Sequence, residues 1–226
     1  MKRFAKVYVE ISNICNLNCS FCPGTTRKPK RMTVEEFRIV LEKIKDYTDY
    51  IYFHLLGEPL CHPQLKEFLK IAEEMHFKVI ITTNGTLLEK NKDILLESNS
   101  HYKTVISLHS FEANDNRVSF EKYLNNCFTY AKTAENKKIV VLRLWNNGGK
   151  DSLNDEILKC LEDYFPKPWA EESVRKSIFN TVINSTGQLL KATTQMKIFS
   201  ATDSVTRLAF YPTVPLSPVA LTIMVR

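Results

Sequence analysis

Three cysteines lie close together, Cys15, Cys19 and Cys22, at a Cys-x3-Cys-x2-Cys spacing just after an apolar run. Thiolates this near one another on a loop can converge on a single metal centre. Three protein ligands leave a fourth coordination position open, where a cofactor or water can bind and react, on zinc or on an iron–sulfur cluster. Asn16, Asn18, Ser20, Pro23 and Gly24 surround the cysteines, so the stretch reads as a loop and not as a packed face. A structural zinc site wants a fourth protein ligand, and Cys61 and His62 are the nearest candidates.

Elements that could hold such a loop follow in order. Lys6 to Ser12 alternates and is rich in Val, Tyr and Ile, which predicts a strand. Thr33 with Glu36 forms a capping-box signature, and Val34, Phe37, Val40, Leu41 and Ile44 repeat at helical spacing. Tyr50 to Leu56 is a mostly apolar second strand, closed by Gly57-Glu58-Pro59, and Pro63 opens a second helix. Lys78 to Thr83 is a third strand ending at Asn84-Gly85, with a helix over Leu87 to Ser98. Thr104 to His109 and Ile139 to Trp145 are the fourth and fifth strands, separated by a helix over Phe120 to Thr133. Ser152 caps a fifth helix, Leu153 to Phe165, with Asp155 in its first turn. Alternation of this kind predicts an α/β protein with a parallel sheet, barrel or open. The strand ends carry the polar residues Glu58, Asn84, His109 and Asn146, and in parallel barrels that end is where chemistry sits.

The cysteine motif, with the aromatic Phe21 before its third cysteine, resembles the signature of the radical S-adenosylmethionine (radical SAM) superfamily. Leu56-Gly57-Glu58-Pro59 resembles the Gly-Gly-Glu-Pro that ends the second strand in that family, with Leu56 in place of the first glycine. The resemblance covers roughly residues 4 to 165. It implies a partial (βα) TIM-type barrel of six units, of which five are clear here. It implies that Cys15, Cys19 and Cys22 hold a [4Fe–4S] cluster that reductively cleaves S-adenosylmethionine to a 5′-deoxyadenosyl radical, which abstracts hydrogen from a substrate. Gly57, Glu58 and Pro59 would then bind the cofactor, Glu58 through its ammonium. Ser107 would bond the ribose or carboxylate, and Phe21 and Asn84 would line the adenine side. Arg143 is a charge in the apolar run Val140 to Leu144, so it needs an anionic partner. The cofactor carboxylate and a carboxylate on a neighbouring strand are both open. Tyr8 and Glu10 share a strand face and point towards substrate. A peptide is the first expectation for that substrate, with a small molecule also open, and the electron donor would be a flavodoxin or ferredoxin.

Cys61, Cys127 and Cys160 read as small core hydrophobes, and His76 and His101 as ordinary loop or helix-end residues. His54 is either packed or a contact inside the barrel. Arg27-Lys28-Pro29-Lys30-Arg31 reads as a solvated loop, with a basic rim facing an anionic substrate as the functional alternative.

The chain has 226 residues, 44% hydrophobic and 25% charged, the balance of a soluble globular protein. No apolar run is of membrane-spanning length and the N-terminus lacks a signal-peptide core, so a cytoplasmic protein without membrane contact is expected. Clustered cysteines suit a reducing compartment. Of the net charge of +6, residues 173 to 226 carry +5, from six Lys/Arg against Asp203, so nucleic-acid binding is not expected. Residues 1–168 form the barrel and 169–226 a tail of different character, in which Ser and Thr take fourteen of the last fifty-four positions. A disordered extension, a small separate domain, and a reading-frame shift near residue 172 are the three readings of it. Read one base earlier, the codons across Pro218, Val219 and Ala220 permit two adjacent cysteines. That resembles the start of the SPASM-type cysteine domain of peptide-modifying relatives. A metal-binding module without radical chemistry and a non-catalytic remnant of an interrupted gene are the alternative functions.

Overall fold

The computed structural model describes residues 4, 6–114, 119–144, 152–165 and the backbone of 221–223. Five parallel strands, β1 (Val7–Val9), β2 (Tyr50–Tyr52), β3 (Lys78–Thr83), β4 (His101–Ser107) and β5 (Ile139–Arg143), lie side by side in chain order. A sixth, β6 (Leu221–Ile223), pairs antiparallel with β1 and is the described part of the tail. The other expectations for residues 169–226 lie outside the described residues, as does Asn146.

Five helices connect or follow the strands: α1 (Val34–Ile44), α2 (Leu65–Glu74), α3 (Leu88–Glu97), α4 (Phe120–Thr133) and α5 (Asn154–Tyr164). Strands taken strictly in order, with right-handed crossovers, put every connecting helix on one side of the sheet. The pleat then divides the side chains. Val7, Val9, Ile51, Val79, Ile81, Ile106, Val140 and Leu142 join the main core beneath the helices. There the Phe37 ring stacks on Phe68 at 4.6 Å and meets Phe53 edge-on at 5.5 Å. Ile80, Val105 and Val141 form a small separate cluster on the opposite, inner face, beside Tyr52. The same side also carries Tyr8, His54, Thr82, Lys103 and Arg143.

The capping box at α1 is present in full: Glu36 N–H donates to Thr33 Oγ1 at 3.1 Å and Thr33 N–H to Glu36 Oε2 at 2.9 Å. Ser152 does not cap α5. Its N–H and hydroxyl both bond the Glu112 carboxylate, which also accepts from Leu153 N–H at 3.4 Å, so a residue forty positions earlier anchors the turn that leads into α5. The basic run is not a free solvated loop either. Arg27 pairs with Glu10 at 2.7 Å and Lys30 with Glu36 at 2.6 Å, and Ser12 bridges Arg31. Those contacts strap the segment against β1 and α1. Among the described residues no helix is long and apolar enough to cross a membrane.

Candidate functional site

The cysteine loop lies at the C-terminal end of the parallel strands, held by the turns that follow β2, β3 and β4. Gly57 fixes the first contact. Its φ of +84° lies in the left-handed region, and a Cβ there would stand 2.4 Å from the Ser12 carbonyl oxygen. Only glycine allows this approach. Glu58 N–H then donates to Ile14 C=O at 2.9 Å, one residue before Cys15. Pro59, buried, opens a 3-10 turn over Pro59–Cys61, and its fixed φ and missing N–H suit that first position.

Glu58 is almost wholly buried. Its Oε1 accepts from Leu60 N–H at 3.0 Å and its Oε2 from Asn84 N–H at 2.8 Å. Burial pushes its carboxyl up to about 7, against the pull of those bonds. The carboxylate therefore ties the end of β2 to the end of β3, and each oxygen retains capacity for another donor.

Asn84 is the centre of the β3 turn. Its C=O accepts from Tyr123 OH at 2.8 Å, and its Oδ1 accepts from Thr86 N–H and Oγ1–H. Its amide donates to Asn16 Oδ1 at 3.0 Å and lies 3.9 Å from Cys15 Sγ. Asn16 in turn donates to Thr86 Oγ1 at 2.8 Å. Gly85, with φ +84°, follows; a Cβ there would meet Cys127 Sγ at 2.8 Å, so this turn packs directly on α4. On the opposite side Asn114 accepts from Asn18 N–H at 2.8 Å and donates to Cys19 Sγ at 3.1 Å, while Ser20 N–H donates to Ala113 C=O.

Each of the three sulfurs thus has an N–H donor: Leu17 N on Cys15 at 3.4 Å, Asn114 Nδ2 on Cys19, and Gly24 N on Cys22 at 3.4 Å. N–H groups aimed at sulfur tune a bound cluster's potential, so this donor set fits iron–sulfur ligation. Among the described residues no three His, Cys, Asp or Glu side chains stand close enough together to hold a metal ion as the chain stands.

The other expected residues divide into two groups. Ser107 and Arg143 are register partners at the ends of β4 and β5. His109 Nδ1 bonds the Arg143 carbonyl at 3.2 Å, and the Phe21 ring lies 5.0 Å from the His109 ring. Phe21, Ser107, His109 and Arg143 thereby border the same end of the sheet as Cys22. Burial lowers the Arg143 guanidinium to about 10, and Tyr8 faces it. Glu10 is not directed to substrate: it is buried, accepts from Leu56 N–H at 3.1 Å and pairs with Arg27. His54 is an interior residue, in ring contact with Tyr8 and Tyr52, with Nε2 at 3.2 Å from Thr82 Oγ1.

Cys127 is fully buried, and Cys160 packs against the core. Cys61 is not a core residue. It is half-buried beside the cysteine loop, with Sγ 3.6 Å from Asn16 Oδ1. His62 is unsuited to zinc, because Nε2 bonds Met32 C=O at 3.1 Å and Nδ1 accepts from Gln64 N–H. Asn16, Thr86 and Asn114 join the hydrogen bonds around the cysteine loop, and motif reading does not single them out. Only their side-chain type, Asn or Thr beside a loop or strand end, hints at them.

The pattern of the radical SAM superfamily matches residues 9–141. The chain is 28% identical over 116 residues to S-adenosyl-L-methionine-dependent 2-deoxy-scyllo-inosamine dehydrogenase of Niallia circulans, covering 48% of this chain and 46% of that one. It is 22% identical over 157 residues to the sporulation killing factor maturation protein SkfB of Bacillus subtilis, covering 67% and 38%. The structure of Streptococcus suis SuiB bound to S-adenosylmethionine superposes with a TM-score of 0.56 at 20% identity, over 71% of this chain and 39% of that one. The chain thus spans less than half the length of each of these relatives. With the family pattern running from β1 into β5 and the same fold in SuiB, the chain belongs to the radical SAM superfamily.

Proposed function

We propose that this chain is the catalytic barrel of a radical SAM enzyme whose substrate is a peptide. The observation that carries the reading is the cysteine loop itself: three thiols in one loop, an N–H donor on each sulfur, clamped at the strand ends by Asn84 and Asn114. Cys15, Cys19 and Cys22 would hold a [4Fe–4S] cluster, and Glu58, Asn84, Ser107 and Arg143 would take S-adenosylmethionine. Bound there, the two would supply one-electron reductive cleavage of S-adenosylmethionine and hydrogen abstraction from the substrate.

The chain's own residues bind, orient and shield. Glu58 presents carboxylate lone pairs where an ammonium can dock, and Gly57 lets that turn approach the cysteine loop. Arg143 offers a guanidinium to the cofactor carboxylate, beside Ser107 in register. Phe21, 54% exposed, has a free ring face to cover the adenine. The exposed side of the loop is open to an electron donor of the flavodoxin or ferredoxin type. SuiB has been captured with its precursor peptide SuiA, and SkfB is a maturation protein, which supports a peptide substrate here.

Anaerobic reconstitution with iron and sulfide tests the ligand assignment. The wild-type chain is expected to give the electron paramagnetic resonance of a reduced [4Fe–4S] cluster, altered by S-adenosylmethionine. Zinc retained in preference to iron, or a signal indifferent to S-adenosylmethionine, would contradict it.

A further inference from the structure

Two of the three clustered cysteines are placed for a chemistry besides metal ligation. Cys22 N–H donates to Cys19 C=O at 2.9 Å, so Cys19-Ser20-Phe21-Cys22 closes a hydrogen-bonded reverse turn. Such a turn keeps the Cα atoms of its end residues less than about 7 Å apart. A disulfide spans about 4.4–6.8 Å between Cα atoms, so this pair can be bridged with little movement of the backbone. The turn is also anchored. Ser20 N–H donates to Ala113 C=O at 3.1 Å, Asn18 N–H to Asn114 Oδ1 at 2.8 Å, and Asn114 Nδ2 to Cys19 Sγ at 3.1 Å. Its outer part faces solvent: Phe21 and Cys22 are exposed, and Cys19 is partly so. Cys15 lies outside the turn. Its sulfur is 3.4 Å from Leu17 N and 3.9 Å from Asn84 Nδ2, on the side of the loop that meets the β3 turn.

We propose that Cys19 and Cys22 form a reversible disulfide while the loop is without a cluster, and that this bond governs whether a cluster can be loaded. The oxidant is a small-molecule disulfide of the glutathione type. The thiolate of exposed Cys22 attacks one sulfur of glutathione disulfide and releases one glutathione. The Cys19 thiolate then attacks the Cys22 sulfur of the mixed disulfide and releases the second. One S–S bond is broken and one is made. The two thiol protons end on the two glutathiones, so the chain loses two electrons and glutathione disulfide gains them. The second step is intramolecular within a formed turn, which favours the bridge over a lasting mixed disulfide. A bridged sulfur is no longer a thiolate, so two of the three ligands are lost until a thiol reductant restores them. The consequence for loading rests on the ligand assignment above; the bond itself rests on the turn.

The test uses the full chain, purified under reduction and without a cluster. It is treated with excess glutathione disulfide, and its thiols are counted after denaturation and located by alkylation before and after reduction. The six thiols of the chain are expected to fall to four, with Cys19 and Cys22 protected and free of glutathione. Cys15→Ala should lose the same two thiols, whereas Cys19→Ala should leave glutathione on Cys22. Six surviving thiols, a bridge that includes Cys15, or glutathione retained on both Cys19 and Cys22 would overturn the inference. Cobalt(II) then probes the ligands. The reduced chain should give thiolate-to-cobalt charge-transfer absorption, and the bridged chain should lack it until the bridge is reduced and the reductant removed. Equal absorption from the bridged chain would overturn the effect on loading. Assembly of a [4Fe–4S] cluster by the reduced chain is scored separately. A cluster in a chain that forms no bridge removes this inference alone, and a bridge in a chain that assembles no cluster removes the ligand assignment alone.

Discussion

At the residue scale Gly57 and Glu58 have the sharpest consequences. Gly57→Ala puts a methyl group against the Ser12 carbonyl and strains a left-handed backbone. It should destabilise the cluster-free chain by about 2 kcal/mol or more, read by urea denaturation. Glu58 has a folded pKa near 7 against an ordinary 4.5, so the folded chain binds the extra proton between those values. Its contribution to stability therefore falls as pH rises from 4.5 to 7 and stays low above. Glu58→Gln should gain on wild type over that window, by up to about 3 kcal/mol. A stability difference that does not change with pH would show that Glu58 is ionised in the fold from low pH. His54 and His101 act in the opposite sense: burial lowers both, so the stability they contribute is present above pH 6.5 and lost as pH falls below it.

At the element scale, the turns after β3 and β4 clamp the cysteine loop and the helices hold the turns. Asn114→Ala removes the donor to Cys19, the acceptor for Asn18 N–H and a bond to the Ser110 carbonyl. It should make the reconstituted cluster harder to reduce, a more negative midpoint potential in a redox titration. Glu112→Ala should cost about 1 kcal/mol in thermal or urea unfolding, the loss of its bonds to the turn that leads into α5, although it lies far from α5 in sequence. These two residues mark where reading the sequence stops. Capping boxes, periodicities and the Gly57-Glu58-Pro59 turn are local patterns, and the sequence shows them directly. Asn114 and Glu112 act across 95 and about 40 positions, through contacts that only the folded sheet creates. Ser152 looked like a cap because its type is right, but its hydroxyl is drawn to Glu112 instead. The strands are also shorter than their patterns predict: the expected strand to Leu56 stops at Tyr52, since Leu56 N–H turns to Glu10 and Gly57 leaves the extended region.

At the scale of the whole molecule, the strictly sequential strand order separates an apolar helix side from a polar inner side. Strand alternation made that division readable, and the two motifs named the family. The inner face was less legible. Tyr8 and Glu10 share a strand side, yet only the fold shows that Arg27 holds Glu10 away from the interior. Resequencing the coding DNA beyond codon 160 addresses residues 169–226. An open alternative frame through a cysteine-rich segment would support a shifted tail, and stop codons in that frame would remove it.

The most direct single measurement is 5′-deoxyadenosine formation by the anaerobically reconstituted, reduced chain given S-adenosylmethionine. Radical SAM chemistry at this loop predicts formation by the wild type and its loss in each of Cys15→Ala, Cys19→Ala and Cys22→Ala. Iron bound without 5′-deoxyadenosine, or formation that survives any one of those replacements, would contradict it.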